Sequence, residues 1–499
     1  MSNRTEKYIK GLTSTTFQKI LTKSIGFLVT PIILSYLGQE EYGIWIIIGS
    51  FLGYMGLMDF GITGSVTQLI AKNDNKENIE KINIIVNNSF FLQIIIGFII
   101  IILGIGCSFI FPNLFDINPS SKETAFMAFF LASIGYGISF PPKTLKGLIR
   151  GRQHISLSIW LEFFIFLLTT LLNLYFLSLG LGLLALPIGT IIIRILSYFL
   201  FYKMAKKTFP QLKISLSYFK WKDAKSILNI SGIWFIGSMS AVIIYTSDTL
   251  IIGSILSTGA VTIYALTFRL SEVFREFIYT FNTTAMPGIG QLAGEGQVDK
   301  IKNILLTMFP LVINTTLGIT LFIIFFNQDF MKIWVGIELY GGDNLNLIFA
   351  LTLFTSVIFH SFSIILSSGL NLKTVTTSRV IEAILNIILS LILIQYYGVL
   401  GVALGTLFAN ILTSFWIVPT FSCKYLNISF KQFIEEFKVN IGIPIILTLI
   451  YYFVFKYAIE VGYNKGLLLS ILILLSLSNF WIFGLNKTLK GKVLAKIRR

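Results

Sequence analysis

Long apolar runs separated by short polar segments recur along the whole chain. A helix crossing a bilayer needs about 20 mostly apolar residues. Fourteen runs reach that length: 13–37, 43–70, 83–111, 124–147, 155–178, 182–204, 227–254, 260–287, 303–327, 346–370, 377–396, 399–422, 439–458 and 466–485. Several exceed the minimum, which predicts tilt or extension beyond the lipid. Pro31 predicts a kink in the first helix. The polar segments alternate in charge. Most of the 39 lysines and arginines lie in those on the amino-terminal side, including a basic tail from Lys487 to Arg499. That bias puts both termini in the cytoplasm, and an even number of helices agrees.

The pattern also repeats. Gly43-Ile44-Trp45 aligns with Ile263-Tyr264-Ala265, Ala71 with Ala293, and Gly147-Leu148 with Gly369-Leu370. Leu161-Glu162 aligns with Ile381-Glu382 and Gly189-Thr190 with Gly405-Thr406, all at offsets between 216 and 222. The predicted fold is therefore an all-α integral membrane protein of about fourteen helices. It consists of two pseudo-symmetric six-helix lobes, 1–215 and 216–425, followed by a terminal helix pair and basic tail in 426–499. Internal doubling of this kind typifies secondary transporters, with the substrate path between the halves.

Composition narrows the function. Hydrophobic residues make up 55% of 499 positions, charged residues 12%, and mean hydropathy is +0.81. Soluble chains carry about a quarter charged residues, so this one needs lipid around it. The net charge of +16 sits in loops, which argues against a nucleic-acid partner. Cys107 and Cys423 are predicted at opposite membrane faces, which excludes a disulfide, and with two histidines no metal site is expected. No Walker loop and no catalytic constellation occurs, so neither ATP hydrolysis nor a bound cofactor is predicted. The outer loop at 328–345 is too short to fold alone, which counts against a membrane glycosyltransferase.

Ionisable groups inside apolar helices then stand out, because each costs at least about 2.5–3.5 kcal/mol at mid-bilayer unless it faces protein or water. The eighth helix carries Arg269, Glu272, Arg275 and Glu276 within a face of roughly 120°. Lys19 and Lys23 lie one turn apart on the first helix, and Arg194 lies midway along the sixth. Lys19, Lys23, Arg194, Arg269 and Arg275 are the candidate substrate-binding residues, and this positive set suits a phosphate or pyrophosphate. Asp59, Asp248 and Glu272 are the candidates for coupling to proton or sodium movement. Blander readings compete with these. The helix-eight charges could neutralise one another, and Lys19 and Lys23 could reach the headgroups. Glu162 and Glu382 could pair with Arg150 and Arg379, and His360 could be a hydrogen-bonded core residue.

Tyr36-Leu37-Gly38-Gln39-Glu40-Glu41-Tyr42-Gly43 followed by Asp59-Phe60-Gly61-Ile62 resembles the bacterial polysaccharide (O-antigen) flippase family. So do Asp248-Thr249-Leu250-Ile251-Ile252-Gly253 and Ile263-Tyr264-Ala265 in the second half. That family belongs to the multidrug/oligosaccharidyl-lipid/polysaccharide (MOP) exporter superfamily. The resemblance implies ion-coupled alternating access that moves an undecaprenyl-pyrophosphate-linked oligosaccharide, such as an O-antigen unit, across the bacterial cytoplasmic (inner) membrane. Its partners would be that lipid-linked substrate, membrane lipids, and a polysaccharide polymerase with its chain-length machinery. A lipid II flippase and a multidrug antiporter of the same superfamily are the alternatives. The related lipid II flippases carry basic residues on helices 1 and 8, where Lys19, Lys23 and Arg269 stand here. Lysines in place of the arginines expected on helix 1 weaken bidentate phosphate recognition.

Overall fold

Where water is excluded, a chain satisfies its own backbone polar groups within a segment by forming a helix, and the computed structural model has no other regular element among its described residues. It describes residues 3–73, 78–115, 117–485 and 490–491. Among them, eleven stretches are long and apolar enough to cross a membrane. The first, Phe17–Lys72, contains two of the predicted helices, and Trp221–Ile255 and Thr258–Thr283 coincide with two more. Each of the fourteen predicted helices thus has a counterpart, and the chain is a multi-pass helical membrane protein. It divides into two units, Met1–Thr262 and Ile263–Arg499. The seventh predicted helix therefore falls with the first unit.

The first unit comprises α1 (Asn3–Gly56), α2 (Ile62–Lys72), α3 (Ile79–Leu114), α4 (Lys122–Ile138), α5 (Pro141–Gly151), α6 (Ile155–Ser178), α7 (Ala185–Thr208) and α8 (Trp221–Ile255). Helix α1 runs through Pro31 and is interrupted at Gly38, whose φ of 70° lies in the left-handed region. Small residues let neighbouring backbones close up without lipid between them. Gly97 and Gly104 of α3 face Gly137 and Ser133 of α4. Gly147 and Gly151 of α5 admit Val66 and Ile70 of α2 in the same way. Phe98, Ile102, Phe109 and Ile110 of α3 stay exposed and form a lipid-facing stripe.

Three asparagines fix the segment between α7 and α8. Asn83, Asn87 and Asn88, each almost fully buried on α3, donate to the carbonyls of Gln211, Lys213 and Tyr218 at 3.1, 2.6 and 3.0 Å. Their side-chain carbonyls accept in return from the backbone N–H groups of Lys213, Ser215 and Lys220 at 2.8, 2.8 and 2.7 Å. An amide side chain can act as donor and acceptor together, so each asparagine serves backbone groups of a connector that no regular helix pairs.

The second unit comprises α9 (Thr258–Thr283, which begins at the end of the first), α10 (Met286–Gly294), α11 (Val298–Trp334), α12 (Asp343–Ile365), α13 (Leu372–Tyr397), α14 (Val399–Leu412), α15 (Ser414–Tyr425), α16 (Phe430–Phe437), α17 (Ile443–Glu460) and α18 (Lys465–Asn479). Phe309, Phe362, Phe433 and Phe437 pack ring against ring at its core, with centroids 4.8 to 6.4 Å apart. Asn327 of α11 donates to the Thr267 carbonyl and to Asn346 Oδ1 at 3.1 and 2.8 Å, which ties α9, α11 and α12 together. Wide π turns follow α12, α16 and α18 at Leu366–Leu370, Lys438–Gly442 and Phe480–Gly484. Such turns are rare and recur at functional sites.

Candidate functional site

Two spans of the first unit are broken in mid-course. The span predicted over 43–70 stops at Gly56, makes a tight turn through Leu57–Asp59, and restarts at Ile62. Phe60 and Gly61 take φ values of 46° and 75° to allow this. The span predicted over 124–147 ends at Ile138 and restarts at Pro141, because Pro141 and Pro142 lack the N–H groups that would continue a helix but fit its first turn. Discontinuous helices in a membrane protein mark places where backbone lines protein or water instead of lipid, and transporter sites lie there.

The breaks bring chemistry together. Lys143 Nζ, in the first turn of α5, lies 3.8 Å from Asp59 Oδ1 and 3.5 Å from the centroid of the Phe140 ring. The same Asp59 oxygen accepts from Gln93 Nε2 of α3 at 2.7 Å and from Thr63 Oγ1 at 3.1 Å. Gln93 is fully buried, and its Oε1 has no donor. One turn along α5, Lys146 donates to Glu162 Oε2 of α6 at 2.8 Å. Arg150 donates to Glu162 Oε1 at 2.7 Å and to Ser158 Oγ at 3.1 Å. Arg194 of α7 completes the cluster as an electrostatic neighbour of Tyr136 and Lys143. Side chains of Lys143, Lys146, Arg150, Asp59 and Glu162 keep between 20% and 31% of their surface accessible, so the cluster is reachable by solvent or ligand.

Of the residues singled out from sequence, the site candidates Asp59 and Arg194 and the anticipated pair Glu162 and Arg150 belong to this cluster. Lys143, Lys146, Gln93 and Tyr136 were not singled out. The Pro141-Pro142 pair followed closely by two lysines was the signal available for the first two. Lys19 is exposed and Lys23 half-buried on α1. Asp248 is buried on α8, where Tyr54 is an electrostatic neighbour and the adjacent Thr249 hydroxyl pairs with Ser50 of α1 at 2.7 Å.

In the second unit two of the intramembrane arginines are paired with glutamates on their own helices. Arg269 donates to Glu272 Oε2 at 2.8 Å, the self-neutralising arrangement that spacing allowed. Arg275 is buried, with its guanidinium carbon 5.2 Å from the centroid of the Phe268 ring. Arg379 NH1 donates to both oxygens of Glu382 at 3.0 and 3.1 Å, and Asn410 adds a bond at 3.1 Å. Glu162 and Glu382 thus hold the arginines anticipated for them. His360 stacks flat on Tyr279, centroids 3.7 Å apart, and its Nδ1 has no hydrogen-bond partner. Where a hydrogen-bonded core histidine was expected, the structure shows a core histidine held by ring stacking. Outside the spans, burial and then a bond to Asp343 at 2.8 Å push the Tyr340 phenol well above its ordinary pKa and keep it protonated.

The second unit also holds an apolar groove of about 410 Å³ between α9, α11 and α18, lined by Phe274, Asn314, Ile319, Phe322, Leu472 and Ser476 among others. Asn314 supports it from below by donating to the Pro310 and Asn440 carbonyls at 2.8 and 2.9 Å, the latter in a π turn.

Comparisons with known proteins agree with this architecture. The family model described as "Polysaccharide biosynthesis protein" matches residues 8–293, and the MatE model matches residues 234–392. A probable low-salt glycan biosynthesis flippase of Haloferax volcanii is 26% identical over 204 residues, which is 39% of this chain and 42% of the relative. The chain thus matches about two-fifths of that relative's length. An inward-facing multidrug resistance MATE family transporter of the MOP superfamily superposes with a TM-score of 0.67 at 16% identity, covering 83% of this chain and 94% of that one. The outward-facing form gives 0.59 at 15% identity, covering 85% and 96%. A MOP superfamily transporter from Pyrococcus furiosus, whose binding pocket is described as having reversed polarity, gives 0.58 at 15% identity, covering 84% and 95%. With a family model matched over more than half its length, the chain belongs to the polysaccharide biosynthesis protein family and has the fold of the MOP superfamily transporters.

Proposed function

We propose that the protein is a flippase that moves a polyprenyl-pyrophosphate-linked oligosaccharide, an O-antigen or related surface-polysaccharide unit, across the bacterial cytoplasmic membrane. The observation that carries this reading is the groove beside α18. It is nearly all apolar, it sits in a multi-pass membrane protein, and its apolar lining suits a hydrocarbon tail with the polar cargo handled elsewhere. Family membership and the glycan flippase relative support the same reading.

The sugar crosses through a polar path while the tail stays against lipid-compatible surface, which avoids the cost of dragging either through the other's solvent. The two lobes, 1–215 and 216–425, alternate access to that path, with 426–499 as the terminal pair. Lys19, Lys23, Arg194, Arg269 and Arg275 are the cationic groups available for the pyrophosphate. Asp59, Asp248 and Glu272 are the carboxylates available for ion coupling. Arg269 is already engaged with Glu272, so the weight of phosphate recognition shifts toward the first unit. Both termini are cytoplasmic, and a polymerase with its chain-length machinery takes the product.

Deletion of the gene tests the reading. Loss of a surface glycan, with an intact cell wall and unchanged drug tolerance, is the expected outcome. A defective wall would point to a lipid II flippase, drug sensitivity to a multidrug antiporter, and sugar transfer by the purified protein to an enzyme.

A further inference from the structure

Charge counting in the first unit gives an imbalance. Around the broken spans stand four cations, Lys143, Lys146, Arg150 and Arg194, and two carboxylates, Asp59 and Glu162. Glu162 is shared by Lys146 and Arg150, each at hydrogen-bond distance. Asp59 gives its Oδ1 to Gln93 and Thr63 and leaves Lys143 at 3.8 Å, beyond a good hydrogen bond. Arg194 makes no side-chain hydrogen bond or ion pair among the described residues. Two positive charges are therefore in excess, on groups set within membrane-spanning helices where an unmatched charge costs at least a few kcal/mol. An anion is the species that removes that cost.

The donor set defines the anion. Lys143 and Arg194 supply a point charge and a planar fork, and Tyr136 can add a hydroxyl; Tyr136 stands in the last turn before the α4–α5 break, Lys143 in the first turn after it, and Arg194 of α7 is an electrostatic neighbour of both. Beside them Gln93 Oε1 is a buried acceptor without a donor, next to Asp59, and it suits a hydroxyl of the ligand. A metal ion or sodium is disfavoured at Asp59, because Lys143 lies 3.8 Å away with Lys146 and Arg194 close behind. A pyrophosphate diester carries two negative charges and a sugar hydroxyl within reach of them, which matches the two excess cations and the free acceptor.

We propose that Lys143 and Arg194, with Tyr136 and Gln93, form a pyrophosphate–sugar subsite contained within the first unit, and that Lys146 and Arg150 are partly restrained from it by Glu162. This rests on the flippase reading, but its test is separable. The full-length protein in phosphatidylcholine nanodiscs is titrated with radiolabelled undecaprenyl pyrophosphate. Arg194→Gln and Lys143→Gln each weaken binding about tenfold or more, as loss of one charge-assisted contact does. Arg194→Lys stays within about threefold of wild type, because the charge is kept. Glu162→Gln tightens binding severalfold by releasing Lys146 and Arg150, a gain that misfolding cannot imitate. Unchanged affinity in both glutamine variants overturns the subsite, as does weaker binding by a Glu162→Gln protein of normal melting temperature. Displacement of the probe by equal amounts of phosphatidylglycerol also overturns it, since the site would then take any lipid headgroup phosphate. If the subsite fails while the deletion strain still loses its surface glycan, the flippase reading stands without it.

Discussion

A Cβ at position 56 would press on the Tyr136 hydroxyl, so the glycine that ends α1 lets Tyr136 keep its place near the break in the second span. Gly56→Ala forces that contact, and overpacking of a fitted site costs about 1–3 kcal/mol. A lowered melting temperature of the purified protein is the expected result, with most of the loss recovered in Gly56→Ala/Tyr136→Phe, where the obstructing oxygen is gone. Melting that falls further in the double variant would show that the hydroxyl is not the obstacle. At this scale the sequence told the local pairs: Arg269 with Glu272 and Arg379 with Glu382 are three residues apart, and Arg150 faces Glu162 across one short turn. It could not tell that Gln93, Lys143 and Asp59 meet, because that contact depends on two helix breaks folding onto a third helix.

Among the elements, the segment between α7 and α8 shows most clearly what apolar periodicity hides. Read alone, 209–220 is a polar connector, and Asn83, Asn87 and Asn88 are polar residues at the start of an apolar run. Together they anchor the connector, with six hydrogen bonds from three amides. Asn87→Ala strands the partly buried Lys213 carbonyl and Ser215 N–H, and leaving the pair unsatisfied costs about 1 kcal/mol or more. Asn87→Asp is expected to be no better, because a carboxylate can accept from Ser215 but cannot donate to Lys213. Both variants should melt earlier than wild type and expose the connector to limited proteolysis. An Asn87→Asp protein as stable as wild type would remove the donor from the account. The broken spans were more legible: Pro141-Pro142 stood inside a predicted helix as a stop signal, whereas the Leu57–Asp59 turn had only Gly56 and Gly61 to announce it.

For the whole molecule, the two units arrange intramembrane charge differently, the first as a cluster shared among several helices and the second as arginine–glutamate pairs within single helices, with Arg275 buried over Phe268. The second pairs Arg269 with Glu272 and Arg379 with Glu382, while the first keeps two cations more than its clustered carboxylates balance. Under the proposed orientation, Lys146 and Arg150 stand toward the cytoplasmic end of α5, the side on which the basic loops gather and on which a lipid-linked saccharide would be met before flipping. The orientation itself can be measured. Cys107 and Cys423 are both half-buried, so replacing them with alanine gives a background for single introduced thiols. Lys207 is exposed at the end of α7 and Glu338 is exposed in the turn between α11 and α12. A membrane-impermeant maleimide should label Glu338→Cys in intact cells and Lys207→Cys only after permeabilisation. The opposite result would put the basic loops outside, against the charge bias, and would place the cationic cluster on the side from which a cytoplasmic substrate cannot enter.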